Sequence, residues 1–275
     1  MTKDRIDRRF AALKAENRAG FVSYVMAGDP DAATALAILE GLPAAGADLI
    51  ELGFPFSDPM AEGPTIQRAS QRALAQKMTL NGTLDLVRAF RQGDQDTPLI
   101  LMGYLNPLVN KGFETFAREA AQAGVDGLIV VDCPPEEADP LADALEAHGV
   151  SLIRLATPTT DDARLPAVVR RTSGFLYYVS VAGVTGVKSA DAGDVAPAVA
   201  RLRAASGLPV AVGFGIRTPD QAAAVARIAD AAVVGSALVD EIESAAKVNE
   251  NVTEKVLLKA SELAKAVRSA RLEMA

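Results

Sequence analysis

Apolar and polar positions along the 275-residue chain fall into two alternating kinds of segment. Short β-rich runs occur at 21–26, 48–52, 98–103, 127–132, 151–155, 175–179, 209–213 and 231–235, and each reads as a strand. Between them apolar residues recur at helical spacing, as at Ala35, Ile38, Leu39 and Leu42. Eight strand-then-helix units, with strand starts about 30 residues apart, are the arithmetic of an α/β fold closed into a (β/α)8 TIM barrel. A doubly wound sheet would carry a GxGxxG turn after its first strand; here Ala27, Gly28, Asp29 and Pro30 follow instead. The prediction is a single barrel domain over residues 1–275.

Two insertions and an additional helix depart from the minimal barrel. Residues 54–63 form a loop rich in Pro and Gly after strand two, and 64–76 reads as an additional helix with Pro64 in its first turn. After strand six, 181–188 runs into 189–193 with three glycines and no apolar period, the pattern of a mobile lid. Residues 4–17 read as an N-terminal helix closing the barrel bottom, and 254–272 as a long final helix.

Barrels of this kind place their chemistry at the C-terminal strand ends, which selects the polar residues there. On strand two the period of two puts Leu49 and Glu51 on the inward face, so Glu51 points into the mouth. Desolvation there raises a carboxyl pKa toward neutrality, as a general acid or base requires. Glu62, in the following loop, supplies a second carboxylate for divided acid and base roles, with a solvated surface charge as the ordinary alternative. Asp58 reads as a site carboxylate or a turn residue, and Asp132 as a ligand contact or the cap of a helix opening near Pro135. Gly213 and Gly215 end strand seven, while Gly235 and Ser236 end strand eight just before a helix-forming stretch. Backbone N–H groups can converge on a phosphate there, with Gly183 to Gly186 and Thr185 closing a third side. Tyr24, Tyr104 and Tyr177 are candidates for an aromatic wall around the mouth.

Composition narrows the partners. Lys plus Arg number 28 against 35 Asp plus Glu, a net charge of −7, which gives no basic surplus for nucleic acid. No apolar run approaches the roughly 20 residues of a membrane span, and no secretory signal pattern opens the chain, so a cytoplasmic location is expected. A single cysteine, Cys133, and a single histidine, His148, leave no disulfide, zinc cluster or histidine triad to build.

Glu51 to Pro59 (ELGFPFSDP), Glu62 to Gln67 (EGPTIQ), Tyr177 through Gly186, and Gly213 to Ile216 (GFGI) together resemble the α subunit of tryptophan synthase. The resemblance spans essentially the whole chain, including Gly28 to Pro30 and Val131 to Glu137. It implies retro-aldol cleavage of indole-3-glycerol phosphate to indole and glyceraldehyde 3-phosphate. It also implies a β subunit, in an α2β2 assembly, that receives the indole and carries the pyridoxal phosphate; no cofactor is expected in this chain. Matched motif by motif, Glu51 is the acid-base glutamate and Glu62 the acceptor of the indole N–H, with Tyr177 beside the substrate and Thr185 in the closing loop. Gly186, Gly215, Gly235 and Ser236 hold the phosphate, while Tyr24, Met102, Phe214 and Ile216 pack around the substrate. Residues 54–61 and 104–107 face the β chain. The family has aspartate where this chain has Glu62. The additional methylene moves the carboxylate by about 1.5 Å, comparable to misplacements that cost about a hundredfold.

Two other readings compete. One is a regulatory barrel that activates a β chain with little activity of its own, for which the Glu62 departure is the support. The other is a different phosphorylated-substrate barrel, an isomerase or an indole-forming synthase, matching only the phosphate half.

Overall fold

A computed structural model describes residues 3–180, 192–213 and 215–272. Eight strands run β1 Gly20–Met26, β2 Leu49–Gly53, β3 Leu99–Gly103, β4 Gly127–Val130, β5 Ser151–Ala156, β6 Leu176–Val179, β7 Val210–Gly213 and β8 Ala231–Val234. They pair in sequence order, all parallel, and β8 returns to β1 through Gly20 opposite Ala231, closing the barrel. All eight expected strands are present, shifted by one or two residues at their ends.

Side-chain alternation sorts the core into two shells. Val22, Leu49, Ile100, Ile129, Ile153, Phe175, Ala211 and Ala231 fill the barrel interior. The opposite strand faces, Ile50 and Leu52 on β2 for instance, pack against the helices outside. The N-terminal helix α1 (Lys3–Ala15) plugs the bottom as expected: Ile6, Phe10 and Leu13 join the interior cluster, with the Phe10 ring centroid 5.6 Å from that of Phe175.

The bottom rim is fastened by a repeated device that the sequence reading did not single out. Asp48, Asp126 and Asp230 each precede an even-numbered strand. Each donates its backbone N–H to a residue at the start of the preceding odd strand, and its carboxylate takes that residue's own N–H: Phe21, Leu99 and Val210 respectively. Arg18, Arg91 with Arg5, and Arg203 neutralise the three carboxylates. Backbone donors at the base of the ladder are thereby satisfied, and the buried charges are paired.

The helices follow as α2 Ala32–Gly41, α3 Pro64–Ala75, α4 Leu80–Gly93, α5 Leu105–Lys111, α6 Phe113–Ala123, α7 Asp139–Ala147, α8 Leu165–Val169, α9 Ala192–Ser206, α10 Pro219–Ile228, α11 Ser236–Lys247 and α12 Val252–Ser269. The insertion after β2 takes its expected form, a loop leading into α3, whose first residue is Pro64. Residues 181–191 of the expected lid after β6 lie outside the described residues; Ala192 and Gly193 already belong to α9.

Candidate active site

At the C-terminal mouth of the barrel lies a cavity of about 260 Å3. Glu51, Tyr24, Met102, Tyr177 and Val233 rise into it from β2, β1, β3, β6 and β8, as their inward register dictates. Val131 and Leu155 add apolar wall from the ends of β4 and β5. Two strand-end glycines make room for the tyrosines: a Cβ on Gly53 would stand 2.3 Å from the Tyr24 hydroxyl, and one on Gly213 would stand 2.1 Å from that of Tyr177. Glycine there is a steric requirement of the mouth.

Glu51 is 1% exposed, and its Oε1 has no hydrogen-bond partner among the described residues. Burial, reinforced by the charge of Glu62, pushes its carboxyl up to about 8. Glu62 is 8% exposed, and burial pushes it up to about 7. The surface-charge alternative for Glu62 is thus overturned. The loop that carries it is clamped down over the mouth. Ser70 on α3 bonds both the N–H (3.0 Å) and the carbonyl (2.8 Å) of Phe56. The Tyr104 hydroxyl accepts the Ala61 N–H at 3.1 Å while its ring stacks on Phe56 at 5.2 Å. Gln67 Nε2 donates to the Glu62 carbonyl at 2.9 Å. Tyr24 and Tyr177 are held as neutral hydroxyls by burial and then by the two carboxylates, Glu62 ahead of Glu51 for Tyr24 and the reverse for Tyr177.

The far edge of the cavity is formed by a helix start and a strand-end loop. Gly235 and Ser236 open α11, and no side chain caps that helix. Gly215, with φ +78°, brings the β7 loop alongside, and Ile216 lines the wall next to it. Among the described residues no lysine or arginine lines the cavity, so positive charge at this edge comes from backbone N–H groups and the α11 dipole. Asp240 of α11 ties this edge to the Glu62 side, accepting from Thr65 at the start of α3 (2.9 Å) and from Arg217 after β7 (2.6 Å).

The structure thus brings together Glu51, Glu62, Tyr177, Tyr24, Met102, Ile216, Gly215, Gly235 and Ser236. Thr185, Gly186 and Phe214 lie outside the described residues. Two expectations are corrected, for Tyr104 and Asp132, and for Asp58 the turn alternative is the one found. Tyr104 does not line the cavity; it stands behind the loop and holds it. Asp132 accepts the Leu105 N–H at 2.8 Å, so it caps α5 after β3 and not the turn of 3-10 helix at Pro135–Glu137. Asp58 is exposed and forms a turn, its carbonyl accepting from Met60. Thr157 and Ile66 line the cavity without having been singled out, because neither carries a motif of its own.

The sequence profile described as tryptophan synthase alpha chain matches residues 10–268. The chain belongs to the tryptophan synthase alpha chain family. It is 87% identical over 272 residues to the tryptophan synthase alpha chain of Caulobacter vibrioides, covering 99% of each, and 76% identical over 271 residues to that of Phenylobacterium zucineum, covering 98% of each. Among solved structures it resembles tryptophan synthase subunit alpha from Legionella pneumophila, with a TM-score of 0.90 at 42% identity over 96% of this chain and 98% of that one. A Mycobacterium tuberculosis tryptophan synthase chain gives 0.87 at 37% identity, with the same coverage. The similarity to alpha chains spans the whole barrel, which removes the reading as a different phosphorylated-substrate barrel. No helix among the described residues is long and apolar enough to cross a membrane.

Proposed function

We propose that Glu51 and Glu62 carry out, as an acid-base pair, the reaction of the tryptophan synthase alpha chain: cleavage of indole-3-glycerol phosphate to indole and glyceraldehyde 3-phosphate in tryptophan biosynthesis. The observation that carries this reading is the pair of buried carboxyls in one cavity, both raised toward neutrality, with apolar walls on one side and backbone donors on the other. With one proton between them, the pair holds an acid and a base at once. Glu51, the more strongly raised, gives its proton to indole C3 while Glu62 takes the proton from the ring nitrogen. Glu51, now ionised, removes the proton of the glycerol hydroxyl next to the ring. The carbon–carbon bond breaks, its electrons return through the ring to nitrogen, and Glu62 gives its proton back. Both carboxyls end as they began.

In this reading Tyr177, Tyr24, Met102, Phe214 and Ile216 surround the substrate, and Thr185 belongs to the closing loop. Gly186, Gly215, Gly235 and Ser236 bind the phosphate. No cofactor belongs to this chain, which works in the cytoplasm. The partner is a tryptophan synthase β subunit, in an α2β2 assembly, and the pyridoxal phosphate is the partner's. Met60, within the 54–61 segment expected to meet that partner, is 75% exposed, and Val109, two residues beyond the 104–107 segment, is 58% exposed.

The test is incubation with indole-3-glycerol phosphate, with and without a β chain, assaying both products. Formation of indole and glyceraldehyde 3-phosphate in equal amounts, faster with the β chain, supports the reading. No product under either condition, with the β chain still activated, selects the regulatory alternative.

A further inference from the structure

A second cavity, of about 380 Å3, adjoins the first and has a different chemistry. It lies between the loop after β4 and the loop from β5 to α8. It shares Val131, Leu155 and Thr157 with the catalytic cavity, so the two are separated by one wall. Behind it stands Arg154. On β5, Ile153 and Leu155 face the barrel interior while Leu152 and Arg154 face the surrounding layer, where almost every other strand residue is apolar.

Arg154 is 6% exposed. Its Nη1 donates to the Cys133 carbonyl at 2.9 Å, and its Nε has no hydrogen-bond partner among the described residues. The neighbouring arginines are neutralised, Arg164 by Glu136 at 2.8 Å and Arg170 by Asp139 at 3.1 Å; among the described residues Arg154 has no such ion pair. A buried guanidinium with an idle donor and no close ion pair, the carboxylate whose charge reaches it, Glu136, being held by Arg164, is a costly arrangement that an anion in the cavity would relieve. Thr157, Thr159 and Thr160 also line the cavity and carry further hydroxyl donors, with the Thr157 hydroxyl 2.8 Å from that of Thr159 and 3.5 Å from that of Thr160. Among the described residues the one carboxylate lining it is Asp132, whose Oδ1 accepts the Leu105 N–H.

We infer that this cavity binds a small oxyanion, a carboxylate or inorganic phosphate, with Arg154 as its charge partner and the threonine hydroxyls as further donors. Arginine presents a fork of N–H groups that matches either ion. The site does not depend on the reaction assigned to the catalytic cavity, since none of its charged groups belongs to that cavity.

The test is an NMR titration of the full chain, followed at the Arg154 Nε–H signal and at the Cys133 and Thr159 amides. Sodium acetate and sodium phosphate are added in separate arms, at constant ionic strength maintained with chloride. Phosphate entering the catalytic cavity is read separately, at the Gly235 amide. Saturable movement of the Arg154, Cys133 and Thr159 signals is expected in at least one arm, half complete at about 1–10 mM, with the amide shifts abolished in Arg154→Gln. The arm that saturates identifies the anion. Signals that stay still or drift without saturating up to about 100 mM in both arms overturn the inference and leave a water-filled cavity. The wild-type titration stands alone if Arg154→Gln does not fold.

Discussion

The carboxyl groups of Glu51 and Glu62 share one cavity, and the charge on Glu62 adds to the burial that raises Glu51. Glu51 rises from the floor, on β2, and Glu62 comes down from the loop above it. The two therefore titrate as a unit, with steps near 7 and 8. Between those values the unit carries one proton, which is the state the proposed chemistry needs. The kcat/KM profile is accordingly expected to be a bell with its maximum between about 7 and 8, falling as Glu62 protonates below and as Glu51 ionises above. A profile flat from pH 6 to 9 contradicts the pair.

Stability should follow the same groups with a definite sign. Both carboxyls are raised above their unfolded values, so between about 4.5 and 8 the folded chain binds more protons than the unfolded one, and stability falls as pH rises. Glu51→Gln removes the larger contribution. Its stability relative to wild type in thermal or urea unfolding should rise by about 4 kcal/mol between pH 5 and pH 9. An advantage that shrinks with rising pH reverses the assignment.

Tyr104 positions the Glu62 loop without touching the cavity. Tyr104→Phe keeps the stack on Phe56 but loses the bond to the Ala61 N–H. It is expected to lower kcat by about tenfold with little change in KM, because small misplacements of a catalytic group are costly. Equal kcat for both proteins would show that the loop is held by Ser70 and Gln67 alone.

Asp240 joins the two ends of the site through Thr65 and Arg217. These bonds are partly exposed, so Asp240→Ala should cost less than about 1 kcal/mol in unfolding experiments. KM for the phosphorylated substrate is nevertheless expected to rise about three- to tenfold as Gly215 and Ser236 lose their fixed relation to Glu62. A large stability loss with unchanged KM would assign Asp240 a purely structural part.

At the opposite end, Asp126→Asn leaves Arg91 buried beside a neutral group. Urea unfolding should show a loss of about 3–5 kcal/mol. The pH–rate profile should keep its shape, since no catalytic group is within the cluster.

Much of this arrangement is legible along the chain, for identifiable reasons. Strand alternation alone turns Glu51 inward, and the glycines after β7 and β8 sit where an α/β barrel turns strand into helix. Relationships between distant segments are not legible. The burial of Glu62 depends on Tyr104 from the end of β3 and Gln67 from α3, and nothing local distinguishes it from a surface glutamate. Asp132 resembles a cap for the turn that follows it, yet the N–H it caps is 27 residues earlier, on α5. That helix is not singled out in the sequence, and its Pro107 is tolerated because it falls in the first helical turn, where its missing N–H would have no partner. The rim aspartates escape notice because each answers to the strand before it.

The central claim, that Glu51 supplies and recovers the proton that breaks the carbon–carbon bond, is tested most directly by Glu51→Gln. The variant is to be assayed with indole-3-glycerol phosphate in the presence of a β chain, at the optimum pH, with β-chain activation measured in the same preparation. Loss of at least about a thousandfold in indole formation, with activation of the β chain retained, is the predicted result. Cleavage within a few-fold of wild type would contradict it and move the proton transfer to another group in the cavity.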